Sequence, residues 1–344
     1  MYKKERIYYL DILKALAIFG VVFIHVFALG NMSQVKGIPI VNFKEIFEFA
    51  VPIFLMVTGA LLLNRDYESI PSFLKKRFKR IIPPYLFWII FIIFALVYPS
   101  LINHRAIHIS TIYTNFFMFP LTWYFWLMIS AYLMIPIINA FIKSDSENGP
   151  KYLVIMFILS SVFYQFLISV KSYTFMELRF FLMPIGYLSL GYLLANYEFK
   201  RKNLVLIVSV LLFAITSAIK VIYGQSPEVT LIFANIPLGQ ASFIDVGIVK
   251  IIQACSVFLI IKYLPLKLSK IKKIITSISR SSYGIYLVHI FVFLLIFNYT
   301  PVQGSGTHVF LTLLIGTFVV FILSWIIVLI ASKIPYINKL SGYA

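Results

Sequence analysis

Cysteine and charged residues are both scarce in this chain. Cys255 is the single cysteine among 344 residues, which excludes an internal disulfide bond and a zinc site built from cysteines. Charged residues account for 12% of the chain, whereas about 25% is usual for a soluble domain. Hydrophobic residues account for 61%, against about 45–50% in soluble domains. These proportions exclude a disordered chain and an ordinary soluble enzyme, and they indicate a protein with several membrane spans.

Acidic residues are also much rarer than basic ones, with 12 Asp and Glu against 30 Lys and Arg, which gives a net charge of +18. In a soluble protein this excess would suggest a nucleic-acid partner. The positions of the charges favour membrane topology instead. With the N-terminus in the cytoplasm, 22 basic residues fall in cytoplasmic segments, seven in outer segments and Lys14 within the first span. We therefore predict cytoplasmic termini, contact with membrane lipid and no nucleic-acid partner.

Ten apolar segments are long enough to cross a bilayer, which takes about 17–25 residues. Backbone groups in hydrocarbon must be hydrogen-bonded within their own segment, so each span is predicted to be a helix. We expect an all-α transmembrane bundle in one integral-membrane domain over residues 1–344, with no separate soluble domain. The predicted spans are Ile7–Leu29, Phe43–Leu63, Ile81–Leu101, Leu121–Ile142, Tyr152–Val170, Leu178–Asn196, Leu204–Ile222, Val246–Leu264, Ser281–Tyr299 and Val309–Ile334.

The first span contains three polar residues, Asp11, Lys14 and His25. Such groups within a span are rare and commonly functional. On a helix, Lys14 and His25 share one face and lie about 16 Å apart along the axis. Asp11 precedes Lys14 by three residues, so the two side chains can pair. Two alternatives stay open: Asp11 and Lys14 can extend to the membrane interface, and His25 can be a buried structural histidine.

A basic segment precedes the third span. Arg77 and Arg80 are one helical turn apart, and two guanidinium groups on one face suit a phosphate ligand. The alternative is a topological anchor. Pro83 and Pro84 are typical of a helix start, so we place the entry of the third helix there.

Two further stretches combine aromatic residues with polar ones. Leu121–Trp126 includes Trp123 and is predicted at an outer interface, where an aromatic belt is the simpler interpretation. Ser281–His289 opens the ninth span and includes Tyr286 and His289, for which a buried hydrogen-bonded histidine is the alternative. Apart from a weak pair at His104 and His108, histidines and carboxylates lack the short spacing of metal ligands, and no metal is predicted.

Five elements of the sequence, in this order, resemble the integral-membrane acyltransferase 3 family. Lys14 and His25 match its Arg/Lys-x10-His pattern in the opening span, with lysine where arginine is more usual. The resemblance runs from Tyr9 to His289. It rests on the segments Tyr9–His25, Pro52–Gly59 with Thr58 in place of serine, Arg77–Arg80 followed by Pro83 and Pro84, Trp123–Trp126, and Ser282–His289.

The resemblance implies a stand-alone O-acyltransferase. The family moves acyl groups, commonly acetyl, from cytoplasmic acyl-coenzyme A to hydroxyls of cell-envelope glycans. Arg77 and Arg80 are then expected to hold the phosphates of coenzyme A, His25 to act as general base or acyl carrier, and Lys14 to line the path between them. Glu48, at a depth similar to that of His25, is our candidate to orient it. Candidates for substrate or structural roles are Asp11, Trp123, Tyr286 and His289.

These expectations place the chain in the plasma membrane, as a multi-pass and bacterial protein, and leave its oligomeric state open. A competing hypothesis is a transporter or flippase for a glycan or a lipid-linked sugar. Ten spans with intramembrane charges suit a carrier equally well. Against it, the sequence shows no inverted repeat and no paired broken helices.

Overall fold

The structure is a computed structural model, and it describes residues 6–28, 34–35, 37–102, 123–169, 177–223, 247–265, 270–299 and 306–344. Over these residues the chain forms ten α-helices, and each overlaps one predicted span in the predicted order. This confirms a polytopic helical bundle. The helices are α1 Tyr8–Phe27, α2 Ala50–Leu62, α3 Ile70–Ile102, α4 Trp123–Ser144, α5 Gly149–Ser169, α6 Glu177–Asn196, α7 Lys202–Tyr223, α8 Ile248–Tyr263, α9 Lys272–Tyr299 and α10 Thr307–Ala331.

In the part of the chain that the structure describes, seven helical stretches are long and apolar enough to cross a bilayer. Among the remaining helices, α5 contributes a shorter apolar segment, Gly149–Val162, and α8 has 16 residues. The figure of ten spans therefore stays a prediction, as does the cytoplasmic position of both termini.

The second span differs from its prediction as one continuous helix. Two short antiparallel strands, β1 Gln34–Val35 and β2 Ile38–Pro39, turn at Gly37, whose φ of +79° suits glycine. A 3₁₀ helix follows over Ile40–Phe47, and α2 begins at Ala50. Pro52 lies in the first turn of α2, where its missing N–H leaves no intrahelical bond unmade.

The predicted entry of α3 at Pro83 and Pro84 is wrong, because the helix begins at Ile70, eleven residues before the predicted span. Ser69 caps it: the hydroxyl of Ser69 accepts the N–H of Ser72 at 3.3 Å, as an N-cap residue does. Arg77 consequently lies within α3. The two prolines sit inside a membrane helix, where neighbouring groups can satisfy the carbonyls that proline leaves without a donor.

The helices group into two compact units. The first contains residues up to 20, residues 42–66 and residues 134–279; the second contains residues 21–41, 67–133 and 280–344. In the first unit, a Cβ on Gly59 would lie 1.9 Å from the carbonyl oxygen of Leu188, and one on Gly191 would lie 2.0 Å from that of Met56. Helices α2 and α6 therefore pack backbone to backbone, which only small residues permit.

Candidate active site

Two histidines that the sequence nominates separately form one contact in the second unit. Nδ1 of His25 on α1 lies 2.8 Å from Nε2 of His289 on α9, and the two rings are inclined by 18°. His289 is completely buried, and its Nδ1 lies 3.1 Å from the carbonyl oxygen of Ile285, one turn earlier on α9. His25 is half-buried. The result is a pair of imidazoles with one ring anchored to the backbone.

Aromatic side chains of α4 and α9 surround one side of this pair. The ring of Tyr286 lies 6.1 Å from that of His289, and Tyr124 packs edge-to-face against Tyr286 at 4.9 Å. Trp123 contacts Tyr124 at 6.3 Å between ring centroids. The structure thus brings together the two aromatic stretches that the sequence singles out. Within the first of them, it is Tyr124 that reaches Tyr286.

The two arginines of α3 belong to the same unit as the histidine pair. Arg77 is half-buried with its guanidinium 5.3 Å from the ring centroid of Phe73, and Arg80 is exposed. The two residues are three apart on α3, so both side chains lie on one face of the helix. Exposed and half-buried cations on adjacent turns can bind an anionic ligand that arrives from outside the bundle.

Helix α9 joins the arginine segment to the histidines. The hydroxyl of Tyr283 donates to the carbonyl of Ile81 at 2.8 Å, next to Arg80 in the chain. Tyr283, Tyr286 and His289 are three residues apart in turn, and their ring centroids follow one another at 6.1 Å. Along the helix axis this row covers about 9 Å. The arginine end of α3 and the histidine pair are therefore connected by one row of ring side chains.

Asp11 and Lys14 lie on the part of α1 that belongs to the first unit. The carboxylate of Asp11 is buried and pairs with the Arg6 guanidinium, and it accepts the hydroxyl of Ser279 on α9 at 2.6 Å. The sequence suggests Lys14 as its partner; the contacts described for Asp11 lead to Arg6 and Ser279. Lys14 is half-buried one turn further along α1.

Glu48 takes part in a different cluster of the first unit. Its carboxylate pairs with Lys250 of α8 at 2.5 Å, and Glu45 pairs with Lys220 of α7 at 2.8 Å. Both lysines and Glu45 are almost fully buried. The amide of Gln253 donates to the carbonyl of Glu45 and to the hydroxyl of Ser217. The ring that contacts His25 at hydrogen-bonding distance is that of His289, whereas the described partner of Glu48 is a lysine.

Sequence reasoning misses this ion-pair cluster as a unit. The signal was available, because Lys220 and Lys250 each interrupt an apolar span and a charge inside a membrane needs an opposite partner. Counting both lysines as outer topology charges hides that requirement. Among the residues that the structure describes, no three His, Cys, Asp or Glu side chains converge as metal ligands do.

A protein-family model described as an acyltransferase domain matches residues 7–329. The chain belongs to the acyltransferase 3 family. The match runs from the start of α1 to the last turn of α10, and includes His25, His289, Arg77 and Arg80. Comparisons with curated proteins and with solved structures gave no match. As an acyltransferase 3 protein with long apolar helices, the chain is a membrane acyltransferase.

Proposed function

We propose that this acyltransferase 3 protein moves an acyl group, most simply acetyl, from cytoplasmic acyl-coenzyme A to a hydroxyl of a cell-envelope glycan. The observation that carries the proposal is the His25–His289 pair in the same compact unit as Arg77 and Arg80. An acyl transfer of this kind needs a base at the acceptor hydroxyl and a cationic site for the donor phosphates. The second unit supplies both kinds of group.

Arg77 and Arg80 are the proposed donor site. Coenzyme A carries several phosphates, and guanidinium forks bind phosphate oxygens through paired, charge-assisted hydrogen bonds. The distribution of basic residues along the chain supports a cytoplasmic position for this end of α3. The donor would then lie with its phosphates at the arginines and its thioester towards the row formed by Tyr283, Tyr286 and His289.

His25 is the proposed general base. In the transfer step the acceptor oxygen bonds to the thioester carbonyl carbon while its proton passes to His25. The carbon–sulfur bond then breaks, and the coenzyme A thiolate leaves and takes up a proton. A histidine suits this role because its neutral form accepts a proton near pH 7. Lys14 remains the candidate for lining the donor path on α1, on the strength of its spacing from His25, and Asp11 remains a candidate for a substrate or structural role.

The proposal places the protein in a bacterial plasma membrane and requires no metal. A transporter or flippase is the alternative function, and membership of an acyltransferase family weighs against it. The two differ in what they do to the donor, since a carrier moves a glycan without consuming acyl-coenzyme A.

The decisive experiment incubates proteoliposomes containing the full chain with radiolabelled acetyl-coenzyme A and envelope glycan. We expect label in the glycan through a bond that mild alkali releases, as an ester would be. Liposomes without the protein and liposomes with a His25→Gln variant serve as controls. Movement of unlabelled glycan across the bilayer, with acetyl-coenzyme A left intact, would support the carrier and refute the enzyme.

A further inference from the structure

We infer that His289 is a positioning residue that fixes the tautomer of His25. In that tautomer Nε2 of His25 is unprotonated and takes the proton of the glycan hydroxyl. This inference rests on the proposed role of His25 as general base. It assigns His289 a function through three hydrogen-bonding groups that follow one another: the carbonyl of Ile285, the ring of His289 and the ring of His25.

The backbone of α9 fixes which nitrogen of His289 carries the proton. The carbonyl oxygen of Ile285 can only accept a hydrogen bond, so the Nδ1 atom that faces it at 3.1 Å must carry the proton. The backbone of Tyr286 also interacts with this ring. His289 is completely buried in an apolar helix, where a charged imidazolium is costly, so the ring is neutral and holds one proton. Nε2 of His289 is therefore unprotonated and can accept a hydrogen bond.

The tautomer of His289 in turn determines the tautomer of His25. Nε2 of His289 can only accept, and it lies 2.8 Å from Nδ1 of His25. Nδ1 of His25 must then be the donor, since two lone pairs at this distance would repel each other. In the neutral ring the remaining nitrogen, Nε2, is unprotonated. Nε2 lies on the side of the ring away from His289 and is the atom able to take a proton from a hydroxyl.

His289 contributes to the reaction through its hydrogen bond with His25. A hydrogen bond to the far nitrogen of a catalytic histidine fixes both its ring orientation and its tautomer, as the carboxylate does in serine hydrolases. Here a neutral ring makes that bond. The aromatic contacts of His289 with Tyr286, and of Tyr286 with Tyr124, restrict the movement of the orienting ring.

The test compares two replacements of His289 in the full chain. In His289→Gln the amide oxygen can still accept from Nδ1 of His25, whereas His289→Phe keeps a ring of similar size without an acceptor. We expect the glutamine variant to keep transfer within about tenfold of wild type and the phenylalanine variant to lose about 100-fold or more, within the range measured for general-base loss. The loss should fall on kcat, with the KM for acyl-coenzyme A unchanged.

A double variant separates a positioning role from a structural one. If His289 acts through His25, His289→Phe should cause no further loss of transfer in a His25→Ala background, because interacting residues give non-additive effects. Additive losses would overturn the inference. So would a folded His289→Phe protein with wild-type kcat, where folding is checked by thermal unfolding.

A spectroscopic measurement keeps this test independent of the proposed function. The chain has five histidines, so ¹⁵N-histidine spectra of the full protein in nanodiscs can be assigned with single His→Gln variants. We expect His25 to show a protonated Nδ1 and an unprotonated Nε2, and to lose this preference in His289→Phe. The opposite tautomer at His25 would refute the inference even if the enzyme transfers acyl groups. The expected tautomer without acyl transfer would refute only the proposed function.

Discussion

Two of the polar clusters in the described part of the chain, one in each compact unit, differ in the charges they hold. In the first unit, Glu45 and Glu48 are paired with Lys220 and Lys250, so each full charge faces an opposite one. In the second unit, His25 and His289 contact each other as imidazoles. A paired carboxylate and ammonium compensate each other's charge at low dielectric, whereas a neutral imidazole keeps a lone pair that can accept a proton. A buried charge alone therefore does not mark an active site.

The largest expected effect comes from removing the imidazole of His25. His25→Ala and His25→Gln should each lower acyl transfer by about 10²- to 10⁴-fold, since neither side chain can take the proton. Thermal stability should change little in His25→Gln, which keeps polarity and approximate size. Glycan acylation and thermal unfolding, measured on the same preparations, check this. Near wild-type transfer by the glutamine variant would mean that His25 has a structural role and is not the base.

Breaking a buried ion pair should instead lower the stability of the protein. Lys220→Met leaves the carboxylate of Glu45 buried without this partner, and loss of one member of a buried pair costs about 3–5 kcal/mol. Replacing both residues, Lys220→Met with Glu45→Leu, should restore most of the stability because no uncompensated charge is left. Unfolding in detergent measures both variants. A double variant as unstable as the single one would contradict a role limited to charge compensation.

The arginines of α3 should affect donor binding in particular. Each charge-assisted contact with phosphate is worth about 1.5–3 kcal/mol, so Arg77→Ala with Arg80→Ala should weaken acyl-coenzyme A binding at least about tenfold. Lys75→Ala with Lys76→Ala, on the same segment, is the matched control for loss of positive charge. Calorimetric titration of correctly inserted protein provides the measurement. Equal weakening in both double variants would mean that the arginines contribute only general positive charge to binding.

The smallest effect is expected at an exposed ion pair, which sharpens the contrast with Glu45 and Lys220. Lys143 holds the pKa of Asp66 below its usual range through a hydrogen bond and its charge. A lowered pKa adds stability above the ordinary aspartate value of about 4, and this contribution is lost as the pH falls through that region. Asp66 is fully solvated, so water and salt screen the pair. Asp66→Asn should therefore leave the unfolding temperature unchanged at pH 7 and at pH 4, and a resolvable shift at pH 7 alone would be evidence against this.

Hydropathy suffices to locate the helices, because hydrocarbon leaves the backbone no alternative to internal hydrogen bonds. It fails at helix ends that extend beyond the apolar segment. The first turns of α3 are polar, and the signal for their start is the local cap at Ser69 rather than hydrophobicity. The start of α9 at Lys272, nine residues before its predicted span, is a second case.

The sequence predicts which residues belong to the candidate site, but not which of them contact each other. His25 and His289 are each visible as polar residues in apolar segments, yet 264 residues separate them. Which helix faces meet depends on packing between segments distant in the chain, and a single sequence carries no measure of that. Glu48 illustrates the same limit, since its depth suggests a histidine partner and its described contact is Lys250.

Helix α3 is longer than a bilayer requires. Its 33 residues cover about 50 Å, whereas the hydrocarbon core is about 30 Å thick. The apolar stretch ends at Tyr98, and a core of that thickness reaching back from Tyr98 begins about 20 residues earlier, close to Arg77 and Arg80. We therefore expect both arginines to lie near the depth of the lipid headgroups. At that depth, lipid phosphates would compete for the two guanidinium groups. If Arg77 and Arg80 hold the donor as proposed, donor binding exchanges one phosphate for another, and affinities measured in a neutral detergent should exceed those in anionic bilayers.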